Sequence, residues 1–98
     1  MVDTQVKNPD ELLAGLGERL KQRRLAAGIK QETLADKAGV SRRAVIELEA
    51  GRGSTLQTLA RVLKAMDLGD NLAALVPVPR VSPMAMLRQR RGRQRGVR

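Results

Sequence analysis

The stretch from Gln31 to Gly51, QETLADKAGVSRRAVIELEAG, constrains the fold more than any other part of the chain, because each of its special positions demands a particular backbone. Leu34 and Ala35 give a first helix an apolar face, and Ala35 is small enough for a second helix to cross close over it. Gly39, four residues later, supplies the left-handed conformation that a sharp turn needs, at no Cβ cost. Ser41 is placed to cap the next helix, its hydroxyl accepting from a free N–H of the first turn. Val45 and Leu48, three residues apart, turn an apolar stripe back toward Leu34, Ala35 and Ala38. The stretch predicts helix, tight turn, helix, with Arg42, Arg43, Ala44 and Glu47 facing outward near the start of the second helix.

Those four side chains are of the kinds that read base edges in a major groove, which makes them the candidates for DNA base contact. The rival reading is an ordinary helical hairpin whose arginines serve solubility. It leaves the coincidence of cap, glycine and small residue unexplained, and gives no reason for two arginines beside the positive end of a helix dipole. Composition narrows the choice further. A chain of 98 residues supports one small core. The absence of Cys, His, Trp, Tyr and Phe removes disulfides, thiol and imidazole catalysis, His/Cys metal sites and aromatic platforms for unpaired bases. No enzyme activity, catalytic residue, metal, cofactor or small-molecule ligand is therefore expected, and sequence-specific RNA readout is disfavoured. With no signal-peptide pattern and no apolar run near the roughly 20 residues of a membrane span, the expected location is the cytoplasm, away from membranes.

The net charge of +9 is unevenly spread. Residues 1–70 carry 12 Lys/Arg against 10 Asp/Glu, whereas residues 71–98 carry 7 Arg and no acid. A near-neutral domain is followed by a polycation, and nucleic acid is the polyanion it suits.

Taken in order, residues 1–8 read as a flexible arm, 9–76 as the folded domain and 77–98 as a Pro/Arg-rich tail. Asn8-Pro9-Asp10-Glu11 is a helix start, with Asn8 as cap, Pro9 at the first helical position and two acids in the first turn. An inner face of Leu12, Leu13, Leu16, Leu20, Arg24 and Ala27 carries helix 1 to about Ala27, with Gly28 as its stop. Gly15 and Gly17 each weaken it by about 1 kcal/mol, which leaves open a break at Gly15 and a restart at Leu16. Helix 2 is expected over Gln31–Ala38 and helix 3 over Arg42–Ala50. Helix 4 is expected after a Ser54 cap, with Leu56, Leu59, Ala60, Leu63 and Met66 as its core stripe. A short helix 5 over Asp70–Val76 would end at Pro77, and Leu68, Leu72, Leu75 and Val76 either close the core or join a second subunit. Beyond Pro79 a single amphipathic turn could carry Met84, Met86 and Leu87, in a tail otherwise disordered or only partly ordered. In it Arg88, Arg90, Arg91, Arg93 and Arg95 are the DNA-contact candidates. Arg91-Gly92-Arg93 resembles the core of a minor-groove hook but lacks the following Pro, so the reading preferred is a non-specific solvated polycation, with the hook as the alternative.

The positions Gln31, Leu34, Ala35, Gly39, Val40, Ser41, Val45, Leu48, Glu49 and Gly51, with Leu16-Gly17-Glu18-Arg19-Leu20 upstream, resemble the motif residues of lambda-type phage repressors and Cro proteins, the Xre-like helix-turn-helix family. The resemblance covers about residues 16–76. It implies an all-α, compact five-helix lambda repressor-like DNA-binding domain, with helix 3 as recognition helix. It further implies a homodimer on palindromic double-stranded DNA, repressing transcription in a bacterial cytoplasm and autoregulating its own operon. On this resemblance Lys30, Gln31, Ser41 and Arg52 fall where the family touches phosphate, and Arg24 pairs with Glu49. Two residues depart from the pattern. Arg23 stands where the family favours an apolar side chain, and Ile46 is apolar on a face meant for solvent or DNA, suiting a thymine methyl or a neighbouring subunit. The segment EAGRGSTLQTLARVLKAMDLGDNLAALVP resembles small regulators encoded beside HipA-type kinase toxins, which implies an alternative role as antitoxin of a toxin-antitoxin system.

Overall fold

The computed structural model describes residues 7–80 together with Met84, Leu87 and Arg88. Its helices are α1 (Pro9–Ala26), α2 (Gln31–Ala38), α3 (Arg42–Glu49), α4 (Leu56–Ala65) and α5 (Gly69–Ala73), and no strand occurs among the described residues. The fold is all-α, as the sequence predicts.

α1 begins in a reciprocal cap: the Asn8 Oδ1 accepts from the Glu11 N–H at 2.8 Å and the Glu11 carboxylate accepts from the Asn8 N–H at 3.1 Å. It then runs unbroken through Gly15 and Gly17. The two glycines differ in kind. A Cβ on Gly15 would meet only the tip of Arg19, whereas one on Gly17 would lie 2.6 Å from the Leu48 carbonyl oxygen and closer still to that of Glu49. Gly17 is buried because α1 rests directly on the backbone at the end of α3, and that contact offsets the helix propensity it forfeits.

Four helices end the same way. Each is followed by a residue with positive φ, Gly28, Gly39, Gly51 or Asp67, and the next N–H reaches back five residues: Ile29 to Arg24, Val40 to Ala35, Arg52 to Glu47, Leu68 to Leu63. At three of these ends the reaching residue, Ile29, Val40 or Leu68, is apolar and packs on the core. At the end of α3 it is Arg52, which is exposed. That exception lies on the face considered below.

The core comprises Leu20, Leu34, Ala35, Val45, Leu48, Val62, Leu63 and Ala65, with Leu34, Val45 and Val62 fully enclosed. α2 packs on α3 and α4, α1 on α3, and α5 on α4. Arg61 of α4 donates from Nη1 to the Gly39 carbonyl at 3.2 Å, fastening the turn between α2 and α3 to the body.

Several expectations are corrected. Leu12 and Leu13 are 57% and 40% exposed and Ala27 is exposed, because the inner face of α1 narrows to Leu16, Gly17, Leu20 and Arg24. The cap of α4 is Thr55, whose Oγ1 accepts from the Thr58 N–H at 3.0 Å, while Ser54 donates to the Thr55 carbonyl. That makes Leu56 the first helical residue, 79% exposed, while Leu63 is buried, Leu59 and Met66 pack half-buried on the core as expected, and Val62 and Ala65 join the buried stripe. α3 stops at Glu49, with Ala50 as its C-cap, and α5 ends at Ala73, short of Val76. Of the four apolar residues near α5, Leu68 and Leu72 pack on the core, while Leu75 and Val76 are 63% and 77% exposed. Met84, Leu87 and Arg88 are helical and exposed, while Met86 and the arm before Lys7 lie outside the described residues.

Candidate nucleic-acid interface

Because Val45 and Leu48 point into the core, the opposite side of α3 belongs to Arg43 and Glu47, with Arg42 and Ile46 flanking it. Arg42 and Arg43 are exposed, while Ala44, Ile46 and Glu47 are half-buried. The Ser41 Oγ accepts from the Ala44 N–H at 3.0 Å and so caps α3, which leaves its own O–H proton available to an outside acceptor.

Beside this helix start lies that of α2. Its cap residue, Lys30, has extended backbone but no side-chain oxygen to offer, so the first N–H groups of α2 carry no side-chain cap. Lys30, Gln31 and Arg42 line a cleft of about 340 Å³ together with Arg24 and Glu32. The cleft therefore holds the cations Lys30 and Arg42 and an uncapped helix start, with Arg24 already paired to Glu49 and Glu32, unpaired among the described residues, as the one acid of the lining. The structure thus brings together Lys30 and Gln31, assigned to phosphate, with Arg42, assigned to bases, and adds Arg24, expected on the inner face of helix 1 and in the pair with Glu49.

Arg24 is held firmly. Its Nε and Nη2 donate to the two Glu49 carboxylate oxygens at 2.7 and 3.1 Å, and its Nη1 donates to the Ile29 carbonyl at 2.9 Å. The side chains of the pair are 7% and 5% exposed. Gln31 is drawn into the same network, its Nε2 donating to Glu49 at 3.1 Å. A carboxylate only accepts, so the Gln31 amide nitrogen must face Glu49, leaving its second N–H to turn outward. No buried side-chain nitrogen or oxygen among the described residues lacks a partner.

A second acid-centred cluster sits on the outer face. The Glu47 carboxylate lies 3.5 Å from Arg52 Nη1 and 3.9 Å from Arg43 Nε. The i, i+4 spacing of Arg43 and Glu47 is visible in the sequence; the approach of Arg52 requires the left-handed turn at Gly51. Arg88 is exposed, and Arg90, Arg91, Arg93 and Arg95 lie outside the described residues. Arg23, the departure noted in helix 1, is exposed at the edge of an apolar groove of about 300 Å³ between α1, α4 and α5, where Leu59, Leu63, Leu72 and Leu75 form the walls.

Two short helices crossed at a left-handed turn, the second presenting its N-terminal half to solvent beside an uncapped cationic helix start, define a helix-turn-helix DNA-binding domain. Residues 20–69, half of the chain, match the family model described as helix-turn-helix, and the chain belongs to that Xre/lambda repressor-like family. The family is one of DNA-binding transcriptional regulators and is typically non-enzymatic. No curated protein matches the chain. Among the described residues no helix is long and apolar enough to cross a membrane.

Proposed function

We propose that this protein is a transcriptional repressor that binds a palindromic operator as a homodimer, with α3 in the major groove, and that it autoregulates its own operon. The observation that carries the reading is the adjacency of the Lys30–Gln31–Arg42 cleft and the exposed face of α3, which sets phosphate-binding groups one step from base-reading ones. Arg42, Arg43, Ala44 and Glu47 meet base edges; Lys30, Gln31, Ser41 and Arg52 meet phosphates. Arg88, Arg90, Arg91, Arg93 and Arg95 of the tail add sequence-independent phosphate contacts. The exposed Leu75 and Val76, at the end of the groove between α1, α4 and α5, supply the subunit contact with Leu68 and Leu72 beneath them.

The test is selection of binding sequences from a random DNA pool. A homodimer enriches inverted repeats whose half-site centres lie about 10 bp apart, or a multiple of that spacing. On the enriched site Arg42→Ala or Arg43→Ala costs about 1–3 kcal/mol and relaxes one base pair per half-site. Equal losses on enriched and random DNA would reduce both arginines to phosphate clamps. Shortening the chain after Val78 flattens the salt slope of log K by roughly 3 if three or four tail arginines reach phosphate.

A second reading, an antitoxin that also holds a HipA-like kinase, is favoured by one observation: the apolar groove is lined by residues of α1, α4 and the α5 region and by none of α2 or α3. A protein seated there would leave the DNA face open. A kinase reading frame beside the gene, with co-purification lost on truncation after Val78, supports that reading, and an unchanged salt slope assigns the tail to protein instead of DNA.

A further inference from the structure

The exposed face of a recognition helix that meets a polyanion is an unfavourable place for a carboxylate, yet Glu47 stands at its centre, flanked by two arginines. Arg52 is tied to it twice, by its N–H on the Glu47 carbonyl at 3.0 Å and by Nη1 at 3.5 Å from the carboxylate, and Arg43 approaches from the previous turn at 3.9 Å. The Glu47 side chain is 30% exposed between the side chains of two arginines that are 66% and 85% exposed. At the other three helix ends of this type the residue in the place of Arg52 is apolar and packs on the core, whereas Arg52 is exposed and reaches Glu47.

On these observations, and resting on the reading of α3 as the recognition helix, we propose that Glu47 is a specificity-determining residue that acts by exclusion. A carboxylate has only acceptors. In the major groove it meets acceptors at guanine N7 and O6, adenine N7 and thymine O4, and finds a donor at the amino group of cytosine, its usual partner, or of adenine. On non-cognate DNA it therefore faces like-charged phosphates and base acceptors while holding back Arg43 and Arg52, two cations that would otherwise strengthen indiscriminate binding. At the cognate site an amino group takes up the carboxylate, and the two arginines turn to DNA. Glu47 lowers affinity for the wrong sequences more than it raises affinity for the right one.

The experiment compares wild type, Glu47→Gln and Glu47→Asp on random duplex DNA and on the sequence enriched by wild type, across a salt series. Glu47→Gln is expected to bind random DNA roughly three- to tenfold more tightly, with a salt slope steeper by about 1, because one anion is removed and two arginines are released. Its preference for the enriched site falls correspondingly, and the base pair facing position 47 relaxes. Glu47→Asp keeps the charge and stays at the wild-type level on random DNA, a recovery that a loss of helix geometry would not produce. The proposal is overturned if Glu47→Gln weakens both DNAs alike, which would make Glu47 only a support for its arginines. It is equally overturned if affinity for random DNA is unchanged while the enriched site alone is lost, which would make it a simple base contact. A wild-type protein that enriches no sequence at all would instead refute the recognition-helix reading itself, and that result is scored before any variant is measured.

Discussion

α3 carries two glutamates two residues apart, each between two donors, and they belong to different physical regimes. Glu49 is enclosed with Arg24 and Gln31, its side chain 5% exposed, and every oxygen is taken by a hydrogen bond of 3.1 Å or less. Glu47 is only half-buried, with Arg43 and Arg52 at 3.9 and 3.5 Å, beyond good hydrogen-bonding distance. Burial decides what each can do. Stripping water from the Glu49 cluster makes any loss of a partner expensive, since the charge left behind has no solvent to turn to. Around Glu47 water competes throughout, so parting it from its arginines costs no more than about 1 kcal/mol. One helix thus uses the same pairing of chemical groups to fix its position at one side and to stay exchangeable at the other.

That contrast is most sharply tested by removing each acid. Glu49→Ala is expected to destabilise the fold by about 3 kcal/mol, which for a domain of this size lowers Tm by roughly 12–20 °C. A melt matching wild type would show that the inner cluster is as dispensable as the outer one. Gly17→Ala should follow in size. Its Cβ meets two backbone carbonyls that cannot rotate away, an overpacking that costs about 1–3 kcal/mol and outweighs the gain in helix propensity. Because α1 would lift from the end of α3, the Arg24–Glu49 pair should loosen as well, visible as faster hydrogen exchange at the start of α2. Gly15→Ala on the same helix is the control, and its added Cβ, facing only a flexible guanidinium, should stabilise by up to about 1 kcal/mol. The smallest effect belongs to Glu47→Ala, whose melting curve should stay within about 0.5 kcal/mol of wild type. A larger loss would erase the distinction between the two clusters.

The unit from Gln31 to Gly51 is legible in the sequence because its constraints are local: Gly39 for the turn, Ser41 for the cap, Val45 and Leu48 for the inward stripe. The inner face of α1 and the start of α4 are less so. Ser54 and Thr55 are adjacent hydroxyl residues, and either satisfies the capping rule; the one-residue difference rotates Leu56 from the expected core into solvent. Gly17 reads as a weakness because its use depends on two carbonyls some thirty residues away. Of the candidate site, the exposed face of α3 follows from helical periodicity, and the Arg24–Glu49 pair follows from family resemblance. The attachment of Gln31 to Glu49 and of Arg52 to Glu47 does not, since each depends on how a helix end meets another segment. The Arg43–Glu47 pair could have been found from its spacing alone.

The clamp of Arg61 on the Gly39 carbonyl, together with the enclosed Leu34 and Val45, has a kinetic consequence. α2, the turn and α3 arrive at DNA as one preformed body, with no segment of the reading face left to fold after contact. Encounter is then limited by orientation and hastened by the field of the surrounding arginines, with association at the usual rates of about 10⁵–10⁷ M⁻¹s⁻¹ or above and little change from one sequence to another. Discrimination between sites must therefore be expressed in how long the protein stays, and a wrong sequence is rejected by rapid departure after full contact.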